Sequence, residues 1–332
     1  MDRPRRRPAG ALAQVGAAAL AACTLAVWAA LAAGGDPAIR ALHWVAPGAD
    51  PVRAIATQPT ECLRLPADPA AALKVEVGRA AFRTPVLLGG QAARASLACE
   101  TCHRNGRTNP DFQFPGVSGA PGTADVTQSI FSSHREDGVD DPRPIPDLSG
   151  PKGRLKIDQA PPGRALETFI HGLVTEEFDG PEPSPAVLDG LAAYVRALDP
   201  DACPKAAREA VDARLLMRDA RRALAAARAE IARGDRRTAV LMLAAARARL
   251  GLVDERLSGE RFAGLRARLR GASARLAAAQ ETLRAGADPS DRALARWLAD
   301  SRPLEAALVA AEPHSLFDPA RLQAEANRRL PG

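Results

Sequence analysis

Two cysteines and a histidine stand in one five-residue run, Cys99-Glu100-Thr101-Cys102-His103, inside the stretch LACETCHRNGRTNPDFQFPG. Two thiols at this spacing can add to the two vinyl groups of one haem while the adjacent histidine turns inward to bind the iron. Competing chemistries ask for partners the sequence does not offer. A structural zinc site needs a second Cys/His pair. A thioredoxin-like redox pair needs a strand before it and a helix after it, and Ala98 and Asn105-Gly106 suggest neither. The motif implies one covalent haem c, held by Cys99 and Cys102 and ligated by His103. No side chain is singled out as catalytic.

The other face of the iron is narrowed by elimination. The methionines are Met1, Met217 and Met242, so residues 62–204 contain none and His/Met ligation is disfavoured. The histidines of that segment besides His103 are His134 and His171. Either of them, or an open or water-bound iron, completes the coordination. Two imidazoles would lower the potential relative to a His/Met pair.

Neighbouring side chains invite weaker assignments. Arg104, Arg107 and Arg135 flank the motif and are candidates for pairing with the haem propionates, against the alternative of exposed loop arginines. Phe82, Phe112, Phe114 and Tyr194 read as packing around the haem. Asp140-Asp141 and Glu176-Glu177 read as solvated acidic loops before they read as a calcium site. Cys62 and Cys203 bracket the motif, and in an oxidising compartment a Cys62–Cys203 disulfide would join the two ends of one domain. Two unpaired thiols are the alternative.

The elements that must position these residues are helices. Alanine and arginine dominate the second half, and both favour helix because they lose little side-chain freedom there. Leu73, Val77 and Ala81 predict a helix over 69–83. Ser184-Pro185 with Val187, Leu191, Tyr194, Val195 and Leu198 predicts another over 184–198. A shorter one is expected over 164–174. Between them, residues 105–162 are rich in glycine and proline and read as long ordered loop, which a large cofactor would hold. From Ala206 onward apolar residues recur every three or four. Breaks at Gly234-Asp235, Ser258-Gly259 and Gly286–Pro289 divide this region into antiparallel helices. Ala223 to Leu250 resembles a tetratricopeptide-like helix pair, with no second copy at a fixed period.

The chain begins with Arg3, Arg5, Arg6 and Arg7 ahead of an uncharged run from Pro8 to Gly35, long enough for the roughly 20 residues that cross a bilayer. An uncleaved membrane anchor with the rest exported is the first reading, by the positive-inside rule. A cleaved signal peptide ending near Ala30–Ala33 is the second, and lipoprotein processing at Cys23 the third. The expected organisation is 1–35 anchor or signal, 36–61 linker with His43 and Trp44 near the membrane surface, 62–204 haem domain, and 205–332 basic helical domain. These last two differ in charge, −5 and +9. Acids interleave with the arginines and few aromatics accompany them, so a solvated helical surface is expected and not a nucleic-acid interface.

The residues Val77-Gly78-Arg79-Ala80-Ala81-Phe82, then Pro85-Val86-Leu87, then Leu97 to His103, resemble the opening of the bacterial cytochrome c peroxidases. The stretch Leu188 to Leu198 is similar to the closing helix of class I c-type cytochromes. The H-x-x-x-G spacing at His134, followed by Pro144-x-x-x-Leu148, resembles the distal-histidine stretch of the peroxidase family, which favours His134 over His171. The resemblance covers residues 62–203. With the hydrophobic run at the start and the helical periodicity after Ala206, the expected fold is all-α: an N-terminal transmembrane helix, a haem domain with long loops that the resemblance implies is cytochrome c-like, and a C-terminal antiparallel helical bundle. The family's second CxxCH and its W-D-G-R stretch are missing. The expected function is therefore a mono-haem, membrane-anchored cytochrome of the bacterial inner membrane. It faces the periplasm, carries single electrons to a redox protein partner, and offers its helical domain as a protein-binding surface. A peroxidase-like enzyme acting on hydrogen peroxide, and a haem-bearing sensor or scaffold, are the rivals.

Overall fold

The computed structural model describes residues 39–134, 138–150, 155–203 and 208–329. The N-terminal hydrophobic run with Cys23 and the side chain of Arg135 lie outside these residues. The described chain is mostly helical, with six strands of two or three residues in three antiparallel pairs. No helix among the described residues is long and apolar enough to cross a membrane.

Two helices frame the CxxCH segment, and a short one, α3 (Gly90–Arg94), precedes it. Helix α2 (Pro69–Phe82) starts where Asp68 accepts the Ala71 N–H and Pro69 fills the first turn. Helix α6 (Pro185–Ala197) starts in the same manner, Ser184 accepting from Val187 and Pro185 following. The two cross at Gly78 and Gly190. A Cβ on Gly78 would lie 1.8 Å from the Gly190 carbonyl oxygen, so only glycine permits this approach. Helix α5 (Ala165–Gly172) packs on α6 and runs on into a π-helical turn, Leu173–Glu177.

The second half builds four long helices: α7 (Ala213–Ala232), α8 (Arg236–Asp254), α9 (Ala263–Arg284) and α10 (Asp291–Ala311). They stop at the three breaks read from the sequence. Asp212 and Asp235 cap α7 and α8 through the Leu215 and Thr238 N–H groups. Each helix packs on its successor, and α10 returns to α7. The buried faces carry Leu243, Ala246, Leu250 and Val253 on α8, joined by Met242, and Leu269, Ala272, Leu276 and Leu283 on α9. Trp297 of α10 donates its indole N–H to the Ala272 carbonyl at 2.9 Å.

Residues 39–61 are folded, where a linker was expected. A 3₁₀ turn at Arg40–Trp44, helix α1 (Pro51–Ala56) and strand β1 (Thr57–Pro59) run in succession. β1 pairs with a strand just before α7, Arg208–Ala210, in the register Thr57 to Ala210. Ile39, Leu42, Ala54 and Ile55 form an apolar cluster with Leu316, Leu322 and Ala326, the last two on helix α11 (Pro319–Arg329). Arg256 ties the same pieces together, donating to the carbonyls of Leu316 and Ile55 at 3.0 Å each. The physical reason is visible in the composition: Ile39, Leu42, Val52 and Ile55 are apolar enough to require a partner surface. Trp44, placed near a membrane surface by sequence, instead stacks on Phe114 at 4.4 Å and donates to the Ala95 carbonyl.

The described residues belong to one compact unit. One hydrophobic core runs from Val75 and Tyr194 through Met217, Leu243 and Leu276 to Phe317, so the CxxCH segment and the long helices share it. Cys62 and Cys203 are disulfide-bonded, their Cα atoms 5.3 Å apart.

Candidate functional site

The two thiols sit on a single helical turn, α4 (Cys99–Cys102), which places both on one side of a short, fixed segment. That turn is held at both ends. The Ala98 N–H donates to the Thr101 hydroxyl, while Asn109 donates its side-chain amide to the Thr101 carbonyl and its backbone N–H to the Cys102 carbonyl. His103 then opens a two-residue strand, β2 (His103–Arg104), paired with β3 (Arg107–Thr108). Asn105 and Gly106 close this hairpin with φ of 50° and 80°. Asn-Gly with both φ positive is the sequence signal for a tight hairpin turn, and it explains why the chain leaves α4 in a fixed direction.

The segment Ile145–Leu148 lies against the hairpin. The Thr108 hydroxyl donates to the Ile145 carbonyl, the Leu148 N–H donates to the Gly106 carbonyl, and His103 Nδ1 lies 3.0 Å from the Pro146 carbonyl oxygen. A carbonyl only accepts, so Nδ1 carries the proton and Nε2 carries the free lone pair. Burial pushes the His103 pKa down to about 4, against the opposing effect of that hydrogen bond. Burial also pushes both thiols up, to about 12 each. At neutral pH the site presents a neutral imidazole and two S–H groups. Cys99 and Cys102 are free and partly buried against the main core, as are Phe114, Leu148, Ile170 and Phe178.

Behind α4 lies a network of buried charges. Glu61 receives both Arg79 and Arg83 and the Tyr194 hydroxyl, which donates at 2.8 Å. Arg83 also donates to Glu100, the residue between the two cysteines, at 2.8 Å and to the Asn105 side-chain oxygen at 2.6 Å. Arg249 of α8 reaches the other oxygen of Glu100 at 3.0 Å and the Arg83 carbonyl at 2.6 Å. Burial alone would raise the Glu100 pKa, but Arg249 and Arg83 outweigh it and hold it at about 2. Burial is likewise outweighed at Glu61, where Arg83 and Arg79 hold the carboxyl well below the usual range. Tyr194, buried and facing Glu61, is pushed well above the usual phenol value.

The remaining sequence candidates fall in different places. His134 is exposed, with Nε2 3.8 Å from Asp179, and His171 is partly exposed, with Nε2 2.9 Å from Glu182. Arg104 is spent on the Ala54 carbonyl, and Arg107 on the Ser149 hydroxyl at 2.7 Å and Asp147 at 3.3 Å. Phe82 and Tyr194 pack at 5.1 Å, with Phe82 6.4 Å from the His103 ring. Phe112 is buried, and Phe114 lies between Trp44 and Phe131. Among the described residues no cluster of three or more His, Cys, Asp or Glu is arranged to hold a metal ion. Sequence reasoning missed Pro146 and the buried pairs of Glu61, Glu100 and Arg249. The Asn-Gly pair was the available signal for the hairpin, whereas nothing in the spacing of Arg249 points to Glu100.

No protein-family model matches the chain, and no curated protein or solved structure matches it.

Proposed function

We propose that the chain is a mono-haem c-type cytochrome carrying single electrons on the periplasmic side of a bacterial inner membrane, with a haem segment similar to that of the bacterial cytochrome c peroxidases. One observation carries this reading. His103 commits Nδ1 to the Pro146 carbonyl, leaving Nε2 for a metal, while Cys99 and Cys102 are free on one adjacent helical turn. The group this set fits is haem c, and when bound it supplies a one-electron ferric/ferrous couple.

The chain's own residues do the rest. Cys99 and Cys102 offer the two thioether-forming S–H groups, and His103 the proximal nitrogen, kept neutral by burial. Pro146 fixes the ring plane and raises the donor strength of Nε2. Phe82, whose ring lies 6.4 Å from that of His103, supplies apolar surface beside the imidazole. The close crossing of α2 and α6 supports a cytochrome c-like arrangement of residues 62–204. By the resemblance, His134 would be the second histidine to hold the iron, with His171 the alternative; Nε2 of each lies near a carboxylate, Asp179 at 3.8 Å and Glu182 at 2.9 Å. A redox protein is the proposed partner, the hydrophobic run at residues 8–35 the membrane attachment, and the antiparallel bundle at 205–332 a docking surface. With one CxxCH there is no second haem from which to relay electrons, which favours a carrier over a peroxidase.

The test is optical and EPR spectroscopy of the full chain produced with c-type haem maturation. One covalent haem per chain and a low-spin ferric signal unmoved by peroxide or cyanide are expected. His134→Ala should convert that signal to high spin, and an untouched spectrum would show that another group is the distal ligand. Absence of covalent haem would overturn the reading as a whole.

A further inference from the structure

Helices α7 and α10 border an open groove of about 380 Å³, lined mostly by apolar side-chain surface and carrying four arginines. Arg218, Arg221 and Arg222 come from α7 at positions i, i+3 and i+4, which share one helix face, and Arg302 faces them from α10 above Leu298. Like charges at these spacings destabilise a helix, so a protein that gathers four guanidinium groups here works against itself unless something balances them.

The neighbouring carboxylates do so incompletely, and none lines the groove among the described residues. Glu305 takes Arg221 through Nη2 at 2.6 Å, while Arg221 Nη1 is buried with no hydrogen-bond partner. Asp219 lies 3.6 Å from Arg222 but is shared with Arg79 at 3.4 Å. Burial, with the charges of Arg79 and Arg218, holds Arg222 below the ordinary guanidinium value, as crowded cations require. Arg218 and Arg302 are exposed and have no ion pair among the described residues.

We infer that this groove binds a small phosphomonoester, its dianion set between Arg218 and Arg302 and its organic part over Leu298. The charge decides the class: two unmatched cations call for a double negative charge, which a phosphomonoester carries at neutral pH and a single carboxylate or a phosphodiester does not. Guanidinium forks suit phosphate oxygens because each offers two parallel N–H donors. The volume falls at the small end of small-molecule pockets and leaves room beyond the phosphate itself. The site is independent of the haem assignment.

Calorimetric titration of the full chain with inorganic phosphate and with phenyl phosphate, at low ionic strength and against a chloride control, tests this. Saturable binding of one equivalent is expected, weakened at least tenfold by R218Q/R302Q and less by R218K/R302K, which keeps the charge but not the fork. Tighter binding of phenyl phosphate would assign an organic monoester, and equal binding would assign the phosphate group alone. Far-UV circular dichroism and thermal melting of R218Q/R302Q should match the parent, because neither arginine has a partner to lose. Absence of binding by both probes, or a double variant that binds like the parent, overturns the site.

Discussion

Arg249, on α8 of the long-helix bundle, holds Glu100, which lies between the two cysteines of the CxxCH run, at 3.0 Å. The pair is separated by 149 positions in the chain and is mostly buried. Glu100 keeps Arg83 when Arg249 is lost, so the charge would not be stranded alone. Arg249→Met is therefore expected to destabilise the fold by about 3 kcal/mol, the low end for breaking a buried pair. Urea denaturation measures it, and Arg249→Lys should recover only part, because its shorter side chain does not carry a nitrogen to where Nη2 donates to both the Arg83 carbonyl and Glu100.

The crossing of α2 and α6 permits no side chain at its centre. Gly78→Ala would drive a Cβ to within 1.8 Å of a backbone oxygen, which no rotamer change relieves. We expect a loss of about 3 kcal/mol, the upper part of the usual range for overpacking, seen as a fall in Tm and in the yield of folded protein. A stability equal to the parent's would mean that the helices do not approach at this point.

The network around Glu61 makes stability depend on pH. Its folded pKa lies far below the ordinary 4.5, with Arg83 and Arg79 outweighing the effect of burial. A depressed carboxylate pKa contributes stability that is fully present above the unfolded value and is lost as pH falls through and below about 4.5. Denaturation midpoints measured from pH 7 to pH 3 should fall in that window. Glu61→Gln should be less stable at pH 7, by about 3 kcal/mol for two buried arginines deprived of their carboxylate, and should flatten the acid slope.

Cys99 and Cys102 have pKa values near 12, so very little thiolate exists at pH 8. In chain produced without haem, alkylation by iodoacetamide should run about a thousandfold slower than for an ordinary cysteine of pKa about 9. Unfolding in urea should restore the ordinary rate, and a fast rate in the folded chain would contradict the burial of the turn.

The Cys62–Cys203 bond closes a loop spanning 141 positions, which contains the whole CxxCH segment. Loop-closure entropy sets an upper figure near 5 kcal/mol. The β1 pairing with Arg208–Ala210 already brings these ends together, so Cys62→Ser with Cys203→Ser should cost roughly 2–4 kcal/mol. Melting of the double variant beside the parent, both under non-reducing conditions, checks it.

Local pattern carried a large part of this structure. The three- and four-residue recurrences placed α2, α6 and the four long helices, and Ser184-Pro185 and the Gly234, Gly259 and Gly286 breaks marked their limits, because period and capping act within a few residues. Residues 39–61 escaped that reading. Their elements are too short to show a period, and their partners at Arg208–Ala210 and on α11 lie far along the chain. The Cys62–Cys203 pairing was legible because the two cysteines bracket the segment that holds the motif.

At the candidate site the division is sharper. By itself the sequence determined which groups are available, since two thiols and an imidazole at fixed spacing are covalent facts of the chain. Only the tertiary structure decided their state: which nitrogen of His103 is free, through Pro146, and which charges surround Glu100, through Arg83 and Arg249. Hydrogen bonds and Coulomb interactions depend on distance in space, and residues 43 and 149 positions apart meet only when the chain has folded.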